Sequence, residues 1–356
     1  MKKTLLATAI AGAVALASTS ASAATVYNQD GTKLDLYGNL QLVYAYTDSL
    51  GGDADGELTD NGSTLGVKGE HKINDDIVGY FKAEFEFNAD ESKGSNGGVN
   101  DGDQTYLGAK GSFGDARIGS WDQLVDDWVQ DPLSNNEYFD LSDSSGQILK
   151  GDGSSQTREG NKLQYMSPVM SGMQFAVGTN FEGDAESENV TDSNQASFFA
   201  GGKYTVGAFS IAAVYDDLGQ FDGTAEGTGS TGDIGEQYGL NAQYTVDALR
   251  ISVKAERFDA DDEDADVDYY GIGARYGYGM GDVYGAYQYV DAESNAYQYI
   301  SADSDAGDGS DHSYNEFNLG VTYNISSAMY TYIEYAQYDR DGDDGDGAAV
   351  GIYYGF

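Results

Sequence analysis

The sequence predicts an all-β fold: one antiparallel up-and-down β-barrel of about sixteen strands, too wide for its own side chains to fill. Three observations point there. Apolar residues recur with a period of two, connections alternate between tight and long, and 49 Gly and 29 Tyr accompany only 2 Pro in 356 residues. A period of two is what a strand with one apolar face leaves in a sequence. Within Lys33–Thr47, Leu34, Leu36, Leu40, Leu42 and Tyr44 alternate with Lys33, Asp35, Asn39 and Gln41. Phe81, Ala83, Phe85 and Phe87 do the same against Tyr80, Lys82, Glu84 and Glu86. Leu249, Ile251 and Val253 repeat it, and so does the C-terminal run Ala348, Val350, Ile352, Tyr354, Phe356. No segment carries a 3.6-residue apolar stripe over three turns.

In order, strands are expected near 33–47, 62–72, 77–88, 103–112, 115–121, 158–167, 172–181, 195–206, 207–216, 235–245, 247–257, 267–277, 280–291, 312–324, 328–338 and 346–356. Every second connection is tight, as at His71–Asp76, Ser112–Asp115, Pro168–Gly172, Thr205–Ala208, Thr245–Ala248, Gly277–Gly281 and Ile325–Met329. The others are long, acidic and rich in Gly and Ser: Asp48–Asn61, Ala89–Gly102, Glu182–Asn194, Asp217–Ile234, Asp259–Asp266, Ala292–Asp311 and Asp339–Asp344. The longest runs over about 122–157. A meander with such connections has two unlike ends.

Composition excludes several functions. With 60 Asp+Glu against 18 Lys+Arg the formal charge is −42, which repels nucleic acid and anionic lipid surfaces. Zero Cys removes disulfides, thiol chemistry and Cys-ligated metals, and two His leave little for zinc or His-based catalysis. No cofactor is expected. At 40% hydrophobic and 13% aromatic, the chain is too apolar for an acidic disordered protein. Residues 1–23 read as a cleaved signal peptide: basic Lys2-Lys3, an apolar Leu5–Ala17 and an Ala21-Ser22-Ala23 cleavage site. Cleavage would leave 24–356 as a single domain with a net charge of −44, because the leader carries two Lys and no acid.

Short turns at one end and long loops at the other are the habit of outer-membrane barrels. A bilayer leaves an open sheet edge unsatisfied, so the sheet closes on itself. Closure with an even strand number places both termini at the short-turn end. The polar faces are small, rich in Gly, Ser, Gln and charge, as a water-filled lumen requires. Tyr44, Tyr80, Tyr165, Tyr204, Tyr244, Tyr323 and Tyr354 at strand ends are expected to form interfacial girdles.

Four segments resemble the general diffusion porins of Gram-negative bacteria, trimeric sixteen-stranded barrels. Lys33-Leu-Asp-Leu-Tyr-Gly38 is similar to that family's first strand and Ser63-Thr-Leu-Gly-Val-Lys-Gly-Glu70 to its second. Arg158-Glu-Gly-Asn-Lys-Leu-Gln-Tyr-Met-Ser-Pro168 resembles the strand leaving the constriction loop, and Gly351-Ile-Tyr-Tyr-Gly-Phe356 the terminal strand with its aromatic end. The resemblance implies a homotrimer in the outer membrane, in contact with lipid and lipopolysaccharide and inserted by the barrel-assembly machinery, which would read Phe356. It also implies passive diffusion of ions and small hydrophilic solutes, without catalysis, and an Ala89–Gly102 loop that latches onto a neighbouring subunit.

By the same resemblance, the loop after the fifth strand folds inward and narrows the pore. Its acids are Asp122, Asp126, Asp127, Asp131, Glu137, Asp140 and Asp143, with Asn136-Glu137-Tyr138 standing where the family has Pro-Glu-Phe. Strand parity alone aims Lys68, Lys82, Lys110, Arg117, Arg158 and Lys162 into the lumen, a basic wall facing the loop acids. Such opposed charge orients polar solutes and screens out apolar ones. Thr64 and Tyr106 stand where related porins often carry Arg, which weakens anion attraction. Lys68 and Lys82 could instead pair with Glu70 or Glu84. The overall acidity predicts a cation-selective pore.

The alternative is a substrate-specific channel, for example for sugars, with Tyr37, Tyr80, Tyr106 and Trp121 or Trp128 beginning an aromatic track. The acidic runs Asp259–Asp268 and Asp339–Gly347 lack the spacing of a calcium loop and read as hydrated surface. An enzyme would need a Ser–His or Asp–His constellation, and His71 and His312 fall at opposite ends of the barrel.

Overall fold

The computed structural model describes residues 23–48, 55–91, 101–144, 160–181, 196–218, 235–261, 265–294, 312–339 and 345–356. The strands are β1 (Ala24–Gln29), β2 (Thr32–Thr47), β3 (Asp55–Asp60), β4 (Thr64–Lys72), β5 (Ile77–Glu86) and β6 (Asp101–Gly111). β7 (Gly114–Ser120), β8 (Lys162–Met166), β9 (Met173–Phe181), β10 (Ala196–Val206), β11 (Phe209–Asp217) and β12 (Gly235–Val246) follow. The last are β13 (Leu249–Ala260), β14 (Val267–Gly277), β15 (Asp282–Ala292), β16 (His312–Asn324), β17 (Met329–Tyr338) and β18 (Gly347–Gly355). Between β7 and β8 lies a single π-helical turn, Asp126–Gln130.

All the strands pair antiparallel in one sheet, and the sheet closes where β18 meets β2, Gly347 opposite Thr47 and Gly355 opposite Asn39. Two short strands complete existing positions rather than adding new ones. β3 covers the Leu42–Thr47 half of one edge of β2 while β4 covers Thr32–Asn39. On the other edge, β1 pairs with Thr32–Leu36 below the end of β18. The barrel thus has sixteen strand positions built from eighteen strands. Both additions depart from the sequence reading, which placed β3 inside a long loop and began the first strand after β1. β3 (DGELTD) is polar and lacks the alternation that marks the others; pairing with the exposed half of β2 makes it a strand.

The turns follow local chemistry. Asp30 and Gly31 (φ 52° and 75°) join β1 to β2, and Ser171 and Gly172 (φ 53° and 88°) precede β9. Two consecutive positive φ values match the twist of a tight hairpin, which explains the Asp-Gly and Ser-Gly pairs.

The outer face is a belt of Leu, Ile, Val, Phe and Tyr open to the surroundings, among them Leu40, Phe81, Leu107, Ile272 and Ile333. Tyr44, Tyr165, Tyr204, Tyr244, Tyr323 and Tyr354 point outward there as expected. Tyr80 does not. It lies on the inner face of β5 over Gly108, its hydroxyl donating to Asp115. The inner face also differs from a uniformly small, polar lining. Along β9–β17 it carries Phe199, Phe258, Tyr269, Tyr314, Tyr332 and Tyr338, all buried. An inner face can be apolar only where something covers it, and part of the cover is the long loop.

Candidate pore lumen and constriction

One wall of the lumen is basic and aromatic. Register places Lys68 opposite Lys82, Lys82 opposite Tyr106, Gly108 opposite Arg117, and Gly119 opposite Lys162. Five of the six cations expected from parity therefore share one inner surface on β4–β8; Arg158 lies outside the described residues. Rings climb between them. Tyr80 and Tyr106 meet edge to face at 6.2 Å, and Tyr106 and Trp121 at 5.9 Å. The Arg117 guanidinium lies 4.3 Å from the Trp121 ring and 5.3 Å from Tyr106, and Lys68 sits 5.0 Å over Tyr37. Facing glycines make room: a Cβ at Gly66 or Gly108 would fall within 2.2 or 2.5 Å of the Tyr37 or Tyr80 ring.

These cations are not equally available. Lys82 pairs with Glu84 at 2.9 Å and Lys110 with Glu70 at 2.6 Å. Lys162 is buried and donates to the Trp121 carbonyl, so it braces the start of the loop rather than facing solutes. Lys82 also donates to Gln104, which donates to Asp122, linking wall to loop.

The loop folds inward because it has an apolar side. Leu124, Val125, Trp128 and Val129 pack against Ala176, Phe199, Ala212 and Val214 on β9–β11. Leu133 continues onto Ala286, and Phe139 packs among Val43, Ala45, Tyr332 and Ala349. Burying each large apolar side chain is worth roughly 1.5–3 kcal/mol, enough together to hold an acidic segment inside a barrel. Gly201 and Gly239 supply the recess, since a Cβ there would meet Trp128 or Val129 at 3.0 or 2.6 Å.

Three buried wall carboxylates then anchor the loop backbone. Glu334 accepts the N–H groups of Glu137, Tyr138 and Phe139 at 2.7, 2.8 and 2.9 Å. Glu316 accepts Ser142 N–H at 2.8 Å and its hydroxyl at 2.6 Å, and Glu256 accepts Ser144 N–H at 3.0 Å and Gln130 Nε2 at 2.6 Å. Hydrogen bonds to ionised acceptors are about twice as strong as neutral ones. Parity could have found this trio: Glu334 interrupts the inward series Tyr330, Tyr332, Ala336, Tyr338.

The acids singled out in the loop divide into three sets. Asp126 accepts the Gln123 N–H, and Asp140 accepts the Ser134 hydroxyl and Asn136 N–H, so both shape the loop itself. Glu137 is held against the far wall by the Tyr330 hydroxyl at 2.6 Å and Arg275 at 3.6 Å. Asp127 is open to lumen water, and Asp122, Asp131 and Asp143 are half-buried. Enclosure by the barrel, then the neighbouring Asp122, pushes Asp127 up to about 6. Enclosure, then Asp127 and Asp140, pushes Asp131 up to about 7. The sequence reading missed the cations beneath the loop: Arg275 beside Glu137, Lys203 over Trp128 at 5.8 Å, and Arg250 opposite Arg275.

At the long-loop rim, Arg257 pairs with Asp266 and with Asp268 at 3.1 Å, so part of the Asp259–Asp268 run already has a cation of its own. Residues 262–264 and 340–344 of the two acidic runs lie outside the described residues.

Comparison with known proteins agrees with this architecture. Residues 7–343 match the family model described as Gram-negative porin. A monosaccharide porin from a Halomonas species and the major outer membrane protein of Halomonas elongata are each 49% identical over 373 residues, covering 100% of this chain and of theirs. Among solved structures, Salmonella typhi OmpF in complex with daunomycin superposes with a TM-score of 0.74 at 20% identity, covering 93% of this chain and 99% of its own. The trimer form of Vibrio cholerae OmpT gives 0.62 at 19% identity, covering 92% and 99%. The chain belongs to the Gram-negative porin family, and is a passive channel of the outer membrane rather than an enzyme.

Proposed function

We propose that the protein is a cation-selective, water-filled channel for ions and small hydrophilic solutes, exported by cleavage after Ala23 and assembled as a homotrimer. One observation carries the selectivity. Asp127 and Asp131 stand in the narrowed lumen, whereas on the facing wall Lys82 and Lys110 already hold acids and Lys162 is buried, which leaves Lys68 and Arg117 as its cations without an acid partner among the described residues. A fixed charge acts on a passing ion over about 8 Å at physiological salt and about 3 Å at 1 M. Paired wall cations project little field over that range; the loop carboxylates project theirs into the neck. Trimer assembly draws on the family resemblance and on the trimeric OmpT; residues 92–100 of the proposed latch lie outside the described residues.

Reversal potentials under a KCl gradient test this. Wild type should prefer K⁺, the preference shrinking as salt rises. Changing Asp126, Asp127, Asp131 and Glu137 together to amides should abolish most of it, and Asp127→Asn with Asp131→Asn alone should account for the larger part. Anion preference in wild type, or an unaltered quadruple variant, overturns the proposal.

A second reading, a channel that favours sugars, rests on the Tyr80–Tyr106–Trp121 ladder and on the name of the Halomonas monosaccharide porin. Liposome swelling across sugars of rising size separates the two. A smooth decline supports a general pore, and saturation by one sugar supports the selective one.

A further inference from the structure

The basic wall holds a recess that adjoins the neck, its Arg117 lying 4.3 Å from the ring of Trp121 where the constriction loop starts. It encloses about 470 Å³, within the range of small-molecule sites, and lies toward the short-turn mouth. Its charged lining is five cations and three carboxylates, an excess of positive charge in a chain of net charge −42. Most of those charges are mutually committed. Lys33 pairs with Asp35 and Lys110 with Glu70, both at 2.6 Å, Lys82 pairs with Glu84, and Asp115 accepts the Tyr80 hydroxyl. Among the described residues, Lys68 and Arg117 have no acid within ion-pair distance.

The placement of those two cations matters. Lys68 is on β4 and Arg117 on β7, three strand spacings apart, about 14 Å along the sheet. Between them stand Tyr80 and Tyr106, their rings at 81° to one another. Lys110 lies 5.2 Å over one face of Tyr80 and Arg117 5.3 Å over one face of Tyr106. The opposite face of a ring suits the C–H surface of a pyranose, and the cations beside it suit an anionic substituent on that sugar. We propose that this recess is a subsite for monosaccharides bearing a carboxylate or phosphate, held transiently on the short-turn side of the neck. The inference rests on the reading of the protein as a small-solute channel. It gives the paired and unpaired cations separate roles, and it offers negatively charged sugars a local well in a pore whose constriction repels them.

The experiment uses the full channel in planar bilayers at 0.15 M KCl. Glucuronate, glucose and inorganic phosphate are added to either side, and single-channel current blocks are counted. Glucuronate should block at lower concentration than either of the others, and more from the short-turn side. The variant Lys68→Gln with Arg117→Gln should weaken glucuronate block about fivefold while sparing glucose, and 1 M KCl should weaken it in wild type, as expected for screened charges. Lys72→Gln, an exposed cation outside the recess, should change nothing. Equal block by glucuronate and glucose overturns the proposal without needing any variant to fold. Phosphate blocking as well as glucuronate also overturns it, because charge alone would then suffice, and so does an unaltered double variant. Swelling and reversal potentials run on the same preparation separate the two proposals. If they behave as expected and glucuronate is not preferred, only the subsite fails; if they do not, the channel reading fails first.

Discussion

Asp127 and Asp131 stand inside the barrel beside other acids, and that gives the channel a pH dependence with a definite sign. Both carboxyls are pushed up, to about 6 and about 7, by enclosure and by acidic neighbours. A carboxyl whose pKa is raised loses its charge as pH falls through the raised value. The pair therefore carries nearly two negative charges at pH 8 and almost none at pH 5. K⁺ preference should fall steadily over that interval, and Asp127→Asn with Asp131→Asn should flatten the profile. A wild-type profile level between pH 8 and 5 would place these groups away from the ion path. At this scale the sequence was half legible. A period of two needs no tertiary information, so parity alone can aim Lys68, Lys82, Lys110, Arg117 and Lys162 at one face of the sheet. What parity lacks is pairing. That Lys110 takes Glu70, that Lys162 braces Trp121, and that Glu137 turns away to Arg275 and Tyr330 depend on strand stagger and on the path of the loop.

The constriction loop is held by an apolar side and by three carboxylates, and the two restraints act on different parts of it. Leu124 to Val129 fix its start against β9–β11, while Glu334 gathers three consecutive N–H groups at its tip. Each hydrogen bond to a charged group contributes about 1.5–3 kcal/mol, and an abandoned buried donor costs a similar amount. Glu334→Ala should therefore loosen the tip by several kcal/mol without opening the barrel. The expected result is higher open-channel noise and a larger size limit in liposome swelling, with normal heat-modifiability. Glu334→Gln, which keeps one acceptor, should fall between. A quiet channel of unchanged size limit in Glu334→Ala would mean that packing alone holds the tip. The strands were legible because lipid and water impose one rule along their whole length. The loop was not, since its apolar residues Leu124, Val125, Trp128, Val129 and Leu133 cover fewer than three turns and sit among acids. Its receptor, glycines on β10 and β12 opposite those side chains, is visible only when the strands are aligned.

At the scale of the whole barrel, closure depends on the seam, because β2 and β18 are almost the full chain length apart and the edge of β18 and the Asn39–Thr47 stretch of β2 are satisfied only when they meet. The seam ends at Phe356. Its N–H donates to the Gly38 carbonyl at 2.9 Å, and its carbonyl accepts the Gly38 N–H at 3.1 Å. Just beyond, β1 takes over the same edge of β2 from Leu36 to Thr32, so the two ends of the sheet adjoin across Gly38. The Phe356 ring lies over that glycine, where a Cβ would fall 2.8 Å from the ring and 2.5 Å from the Thr64 carbonyl oxygen. The ring could shift; the Thr64 backbone, fixed in the β2–β4 ladder, could not. Two variants should thus damage closure by different routes. Deleting Phe356 removes both hydrogen bonds and the cover, while Gly38→Val keeps Phe356 but forces the strands apart at the same point. Both should lower the amount of folded, heat-modifiable barrel in the outer membrane, and Phe356→Tyr should retain it. If Gly38→Val folds normally while the Phe356 deletion does not, the terminal aromatic acts through recognition during insertion rather than through the seam. Normal levels in both would show that the junction of β18, β2 and β1 closes without it.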